Sequence, residues 1–174
     1  MLRLTAAIVW LFVAAAAASA RPVHIVAFGD SATAGYLVAR KDAYPAQLQV
    51  ALRKKGYDVT VENAGISGDT TTGALRRFDS AIAPGTDIAI VEFGTNDLRM
   101  HVPAPRMRAN LAEIIKSLRA RGIAVLVVGL GRLDLSDVAR AAGVPYVQWN
   151  LPPGKYRARD GQHFNARGYA RVVA

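Results

Sequence analysis

The sequence contains no cysteine. That absence removes disulfides, thiolate nucleophiles, iron–sulfur clusters and cysteine-ligated zinc together, and three histidines are too few for a histidine-rich metal site. Acidic residues are also scarce: Asp+Glu 13 against Lys+Arg 22 gives a formal charge of +9. Such an excess can serve nucleic acid, an anionic membrane surface or an acidic ligand. The cations are dispersed, without a run of five or more, and no helix-turn-helix, zinc-finger or basic-zipper pattern is present. Nucleic acid is therefore not expected as a partner, whereas transient contact with an anionic membrane surface is. With 174 residues, 52% of them hydrophobic and 20% charged, the composition excludes global disorder and fits one compact domain.

The first twenty residues, MLRLTAAIVWLFVAAAAASA, combine Arg3, an apolar run from Leu4 to Ala18 and a small-residue exit at Ala18-Ser19-Ala20. This is the pattern of a secretory signal peptide cleaved after Ala20. The run is shorter than the ~18 to 20 apolar residues that span a bilayer, and a lipoprotein anchor needs a cysteine that is missing. The mature chain is expected to begin at Arg21, to carry a charge of +8 once Arg3 is lost, and to occupy the periplasm or the medium. Residues 21–174 are expected to form a single domain, with a monomer favoured.

From Arg21 the pattern alternates strand and helix. Val23 to Phe28 is a β-rich apolar run closed by Gly29-Asp30, and Asp42 to Lys55 is a helix with an early Pro45 and a trailing Gly56. Strands follow at Tyr57 to Val61, Ile88 to Phe93, Ile123 to Val128 and Val144 to Trp149. Helices are expected at Arg106 to Arg121, Leu135 to Ala142 and, for about three turns, from Asn165. Strands apolar on both faces and separated by helices imply an α/β fold, a three-layer α/β/α sandwich around a parallel sheet. In such sheets ligands sit beyond the carboxyl ends of the strands.

Those ends carry Gly29-Asp30-Ser31, then Asn63-Ala64-Gly65-Ile66-Ser67-Gly68-Asp69, then Gly94-Thr95-Asn96-Asp97, and near the C-terminus Asp160-Gly161-Gln162-His163. A serine hydroxyl is a weak nucleophile until an imidazole takes its proton, so Ser31 needs a histidine. His163 stands three residues from Asp160, whose carboxylate can hold one ring nitrogen while the other faces Ser31. The N–H groups of Ser31 and Gly65 and the Asn96 amide would receive a tetrahedral oxyanion, Gly65 because a residue without Cβ allows close approach to the backbone. Each feature alone is a common turn or strand ending. Four in order at strand ends point to a serine hydrolase.

These four blocks resemble the SGNH or GDSL-type hydrolases, in particular the bacterial secreted thioesterase I, lysophospholipase and arylesterase group. The resemblance covers most of Val23 to Tyr169. It implies a five-stranded, flavodoxin-like sheet in the order 2-1-3-4-5, catalytic Ser31, Asp160 and His163, an oxyanion hole of Ser31, Gly65 and Asn96, no metal or cofactor, and an ester or thioester substrate. Ala32 stands where the family name has leucine, and Thr95 where near relatives often have glycine. The connection from Gly129 to Val144 is shorter than the helical insertion that lines the acyl pocket of close relatives. An open, shallow site for short acyl or aryl esters is the resulting expectation.

The remaining candidates read as structural. Ser67 is not in a complete Gly-x-Ser-x-Gly elbow, since Asp69 fills the last place, and is expected as a helix cap or loop hydrogen-bonder. His24 is expected to be structural, His101 to lie on the surface, Tyr36 and Tyr44 to pack. Arg76, Arg77, Arg106, Arg108, Arg119 and Arg121 are expected on solvated faces. Two other functions fit the residues: a polysaccharide O-acetyl esterase or transferase using the same triad, or a non-catalytic basic module binding anionic polymer or lipid.

Overall fold

The structure, a computed structural model, describes residues 21–150 and 154–174; the expected leader, Met1 to Ala20, lies outside them. Five parallel strands form one sheet: β1 (Val23–Gly29), β2 (Val59–Gly65), β3 (Ile88–Glu92), β4 (Ala124–Leu130) and β5 (Tyr146–Trp149), in the order β2-β1-β3-β4-β5. The order and the parallel pairing are those expected. The helices are α1 (Ser31–Ala34), α2 (Tyr44–Lys54), α3 (Thr71–Arg76), α4 (Phe78–Ala81), α5 (Thr95–Arg99), α6 (Ala104–Ala120), α7 (Ser136–Ala142) and α8 (Ala166–Val173). At eight residues α8 makes about two turns, not three.

Alternation along β1 explains the layering. Ile25 and Ala27 point to one face, where α2 and α8 supply Tyr44, Leu48, Leu52, Tyr169 and Val172. Val26 and Phe28 point to the other, against Phe78, Leu111, Ile114, Ile115 and Leu118 from α4 and α6. Each fully buried leucine or isoleucine contributes roughly 1.5–3 kcal/mol over its exposed state, so these two cores hold the sheet without covalent staples. No helix among the described residues is long and apolar enough to cross a membrane.

The edge strand β2 is the main departure from the expected boundaries. It starts at Val59, not Tyr57, and runs four residues beyond Val61, pairing Asn63, Ala64 and Gly65 with Ala27, Phe28 and Gly29. Its outward residues Thr60 and Glu62 are exposed. An edge strand with one wet face lacks the continuous apolar run that marks a central one. The short helices α1, α3, α4 and α5 were not expected, being too brief to show a period.

Candidate active site

β1 ends in Gly29, Asp30 caps α1 by accepting the Ala32 N–H at 3.0 Å, and Ser31 is the first residue of that helix. The tight strand-to-helix turn presents Ser31 at the rim of the sheet. Gly29 must be glycine here: a Cβ would lie 2.0 Å from Thr33 Oγ1 and 2.7 Å from the Glu92 carbonyl oxygen. His163 Nε2 stands 2.8 Å from Ser31 Oγ, and His163 Nδ1 stands 2.5 Å from Asp160 Oδ2. Asp160 Oδ1 accepts the N–H groups of Gln162 and His163, which fixes the turn. The hydrogen bond to His163, first among the causes, holds the Asp160 carboxyl down at about 2, so it is ionised at neutral pH.

Ser31, Asn96, Asp160 and His163 share a cleft of about 610 Å³ with Tyr36, Ser67, Gly68, Arg99 and Met100. A separate recess of about 60 Å³ adjoins Ser31 and His163, lined in part by Ala32, Thr95, Leu130 and Phe164. A larger groove between α6 and α7, about 760 Å³, has no comparable set of groups: Arg108 is tied to Asp137, and Arg119 to the Ala142 carbonyl.

Gly65 is not where it was expected. It is absent from the cleft wall and borders another depression with Ala34, Val38, Arg40 and Asn63. Its N–H donates to Asn63 Oδ1 at 3.0 Å, and a Cβ on it would strike the backbone of α1, 2.2 Å from Ala34 N. Glycine at 65 serves packing on α1, not substrate approach. The glycine of this loop that does line the cleft is Gly68, at φ +82° with open space around it and an N–H that makes no hydrogen bond among the described residues. The N–H of Ser31 is equally unengaged. Asn96 Nδ2 donates to Asp30 Oδ2 at 3.0 Å and to the Asp69 carbonyl at 2.9 Å, which sets its amide beside Gly68.

Under Ser31 lies a buried pair of acids that the sequence did not reveal. Asp30 and Glu92 are each 1% exposed. Burial raises both, and their mutual repulsion lifts Glu92 well above the carboxylate range. Asp30 accepts the Ala32 N–H and the Asn96 amide, which favours its charged form, while Glu92, raised the further of the two, accepts from Thr33 Oγ1 at 3.0 Å. Asp30 thus anchors both the turn of Ser31 and the amide of Asn96.

Three other residues differ from expectation. Arg77 is no solvated cation: it bonds Asp69 Oδ2 at 2.7 Å, the Ala64 carbonyl at 2.8 Å and the Gly29 carbonyl at 3.0 Å, over the ring of Phe28. It laces the ends of β1 and β2 to the loop bearing Gly68. Arg77→Met should cost about 3 kcal/mol in urea unfolding, because three part-buried acceptors lose their partner. Tyr36 lies on the cleft wall with its ring 4.9 Å from that of His163, and Ser67 lies there too, while Thr70 caps α3. Tyr44 is fully buried, His101 is exposed, and His24 sits 3.2 Å from Glu62 on the neighbouring strand, as packing, surface and structural residues.

A family model for the GDSL-like Lipase/Acylhydrolase family matches residues 27–135, more than half of the chain. The chain belongs to this family. The GDSL-type match includes the segments of Ser31, Gly68 and Asn96 and stops before Asp160 and His163. An arylesterase of Vibrio mimicus is 34% identical over 119 residues, which are 68% of this chain and 60% of that protein. The esterase TesA of Pseudomonas aeruginosa is 37% identical over 108 residues, 61% of this chain and 53% of that one. The chain thus spans little more than half the length of these relatives. The crystal structure of AlinE4, an SGNH-hydrolase family esterase, superposes with a TM-score of 0.67 at 32% identity, covering 75% of this chain and 77% of that one.

Proposed function

We propose that this protein is an exported serine hydrolase of carboxylic esters or thioesters that works through an acyl-enzyme on Ser31. The observation that carries the reading is the continuous relay Asp160–His163–Ser31, at 2.5 Å and 2.8 Å. Ser31 Oγ bonds to the substrate carbonyl carbon as its proton passes to His163 Nε2. The carbonyl oxygen becomes an oxyanion facing the N–H groups of Ser31 and Gly68 and the Asn96 amide. As the tetrahedral carbon collapses, His163 returns the proton to the departing alkoxide or thiolate. Water, deprotonated by His163, then attacks the acyl carbon, and Ser31 leaves with its proton restored. Asp160 holds Nδ1–H and balances the imidazolium.

Export rests on the leader pattern of residues 1–20. Short acyl or aryl esters are the favoured substrates, because the recess beside Ser31 is only about 60 Å³ and the chain between β4 and β5 is short. A recess of that size favours a short acyl group over a long chain. A panel of p-nitrophenyl esters of rising chain length, with acyl-CoA, lysophospholipid and acetylated sugar, tests both halves. The expected result is ester hydrolysis with kcat/KM falling at least about tenfold from acetyl or butyryl to dodecanoyl esters. A preference for long chains would overturn the short-acyl reading, and no turnover of any ester or thioester would overturn the function.

A further inference from the structure

Large apolar side chains stand in solvent at Tyr36, Val50, Ile66, Leu98 and Met100; Tyr36 and Met100 line the cleft, and Ile66 and Leu98 are each next in the chain to a residue that does. Tyr36 is 47% exposed, Ile66 51%, Leu98 48% and Met100 60%. They come from three distant segments: Tyr36 from the loop after α1, Ile66 from the loop after β2, Leu98 and Met100 from α5 and its C-terminal cap. Tyr36 and Met100 are on the cleft wall, Ile66 directly precedes Ser67 and Gly68 on it, and Leu98 directly precedes Arg99. None belongs to either core cluster, so the fold does not require them to be apolar. Isolated exposed hydrophobic residues are ordinary, but four gathered at one opening mark a surface that meets something apolar.

Charge at the same rim identifies the partner. Arg99, between Leu98 and Met100, bonds Gln162 Oε1 at 3.4 Å and is in no ion pair among the described residues. Arg159, beside Asp160 in the chain, is exposed and makes no ion pair among the described residues; Arg40, likewise exposed, belongs to the separate depression that holds Gly65. Of the acids nearby, Asp69 is paired with Arg77 and Asp97 is buried against Thr71, while Asp160, held by His163, keeps its charge. The rim therefore offers apolar side chains together with two exposed cations, Arg99 and Arg159, against the one exposed carboxylate of Asp160, a combination that adsorbs to anionic lipid.

We propose that this collar seats the protein reversibly on an anionic lipid surface, with the mouth of the catalytic cleft facing the headgroups. The inference builds on the reading of the cleft as an ester-hydrolysing site, since docking delivers lipid-borne esters to Ser31. It also gives the excess of cations a task that the triad does not. The anchor is weak by the nature of its parts: a few side chains and two cations give adsorption that salt reverses, not insertion.

The test is co-sedimentation of the purified protein with vesicles of phosphatidylcholine alone or with about one third phosphatidylglycerol, at ~0.1 M salt. Binding is expected to the anionic vesicles only, and to weaken at least about tenfold in the double variant Ile66→Ser, Leu98→Ser. Both substituted residues are exposed and off the cleft wall, so hydrolysis of a soluble short ester should persist in that variant and reports that it is folded. No binding, equal binding to neutral vesicles, or undiminished binding of the double variant overturns the proposal. Ser31→Ala should bind vesicles like the parent; a protein that binds but hydrolyses nothing overturns the enzymatic reading and leaves the docking surface standing.

Discussion

Ser31→Ala is expected to lower kcat/KM on an aryl ester by about 10⁶-fold, to the level given by binding and oxyanion donors alone. The variant retains His163, Asp160 and the Ser31 backbone N–H, so the loss isolates the hydroxyl that lies 2.8 Å from His163 Nε2. An aryl phosphonate should label the parent once, at Ser31, and leave the variant unlabelled, as read by mass spectrometry. A variant with full activity refutes the mechanism. Asn96→Ala provides the graded contrast. Oxyanion donors contribute ~2.7–4 kcal/mol, and Asn96 should fall at the lower end, near 10²-fold, because its amide protons are shared with Asp30 Oδ2 and the Asp69 carbonyl.

Asp160→Asn should cost on the order of 10³- to 10⁴-fold, chiefly in kcat, since it leaves the turn nearly isosteric but removes the charge that orients the imidazole and balances its protonated form. The Asp160 carboxyl is held down at about 2 by His163, so it stays ionised wherever the enzyme is assayed. A plot of kcat/KM against pH for the parent should accordingly show no acid-side step from Asp160 in the assay range. The sign for stability follows from the same depression. A carboxyl lower in the folded than in the unfolded chain stabilises the fold above the unfolded value, near 3.9, and that contribution disappears as the pH falls toward 2. An acid-side step from Asp160 in that range, or a variant with near-parent kcat, would remove Asp160 from the relay.

Much of this site is legible in the residues because chemistry in a parallel sheet collects where apolar runs stop. Val23 to Phe28 and Ile88 to Phe93 read as central strands since both faces are buried, and Ser31 and Asn96 follow as rim residues. The choice between two glycines three apart was not legible. Gly65 is still inside the β ladder, paired with Gly29, so its backbone belongs to the sheet; Gly68 lies beyond the last pair, where the chain turns to positive φ and its N–H is released. Nothing in Gly-Ile-Ser-Gly states where a ladder ends. Arg77 misleads for a different reason: a cation near a helix is normally wet, and only the convergence of two strand ends and Asp69 creates a site for a buried guanidinium. Glu92 sits in an apolar run that makes its burial certain, but not its partner, which lies 62 residues earlier in the chain at Asp30.

The relay joins parts of unequal permanence. Ser31 issues from a strand flanked on both sides by others, whereas His163 rides on the chain between β5 and α8, outside the sheet, held by an isolated bridge between Arg157 and Phe164 and by the Asn165 amide on the carbonyls of Lys155 and Arg157. Segments with few such ties open at lower free energy than the core. The nucleophile is thus built into the central sheet, while its base depends on these loop ties and on the buried ring of Phe164 beside it. Thermal inactivation can run ahead of unfolding, and reverse on cooling, when nothing more than this segment has come away.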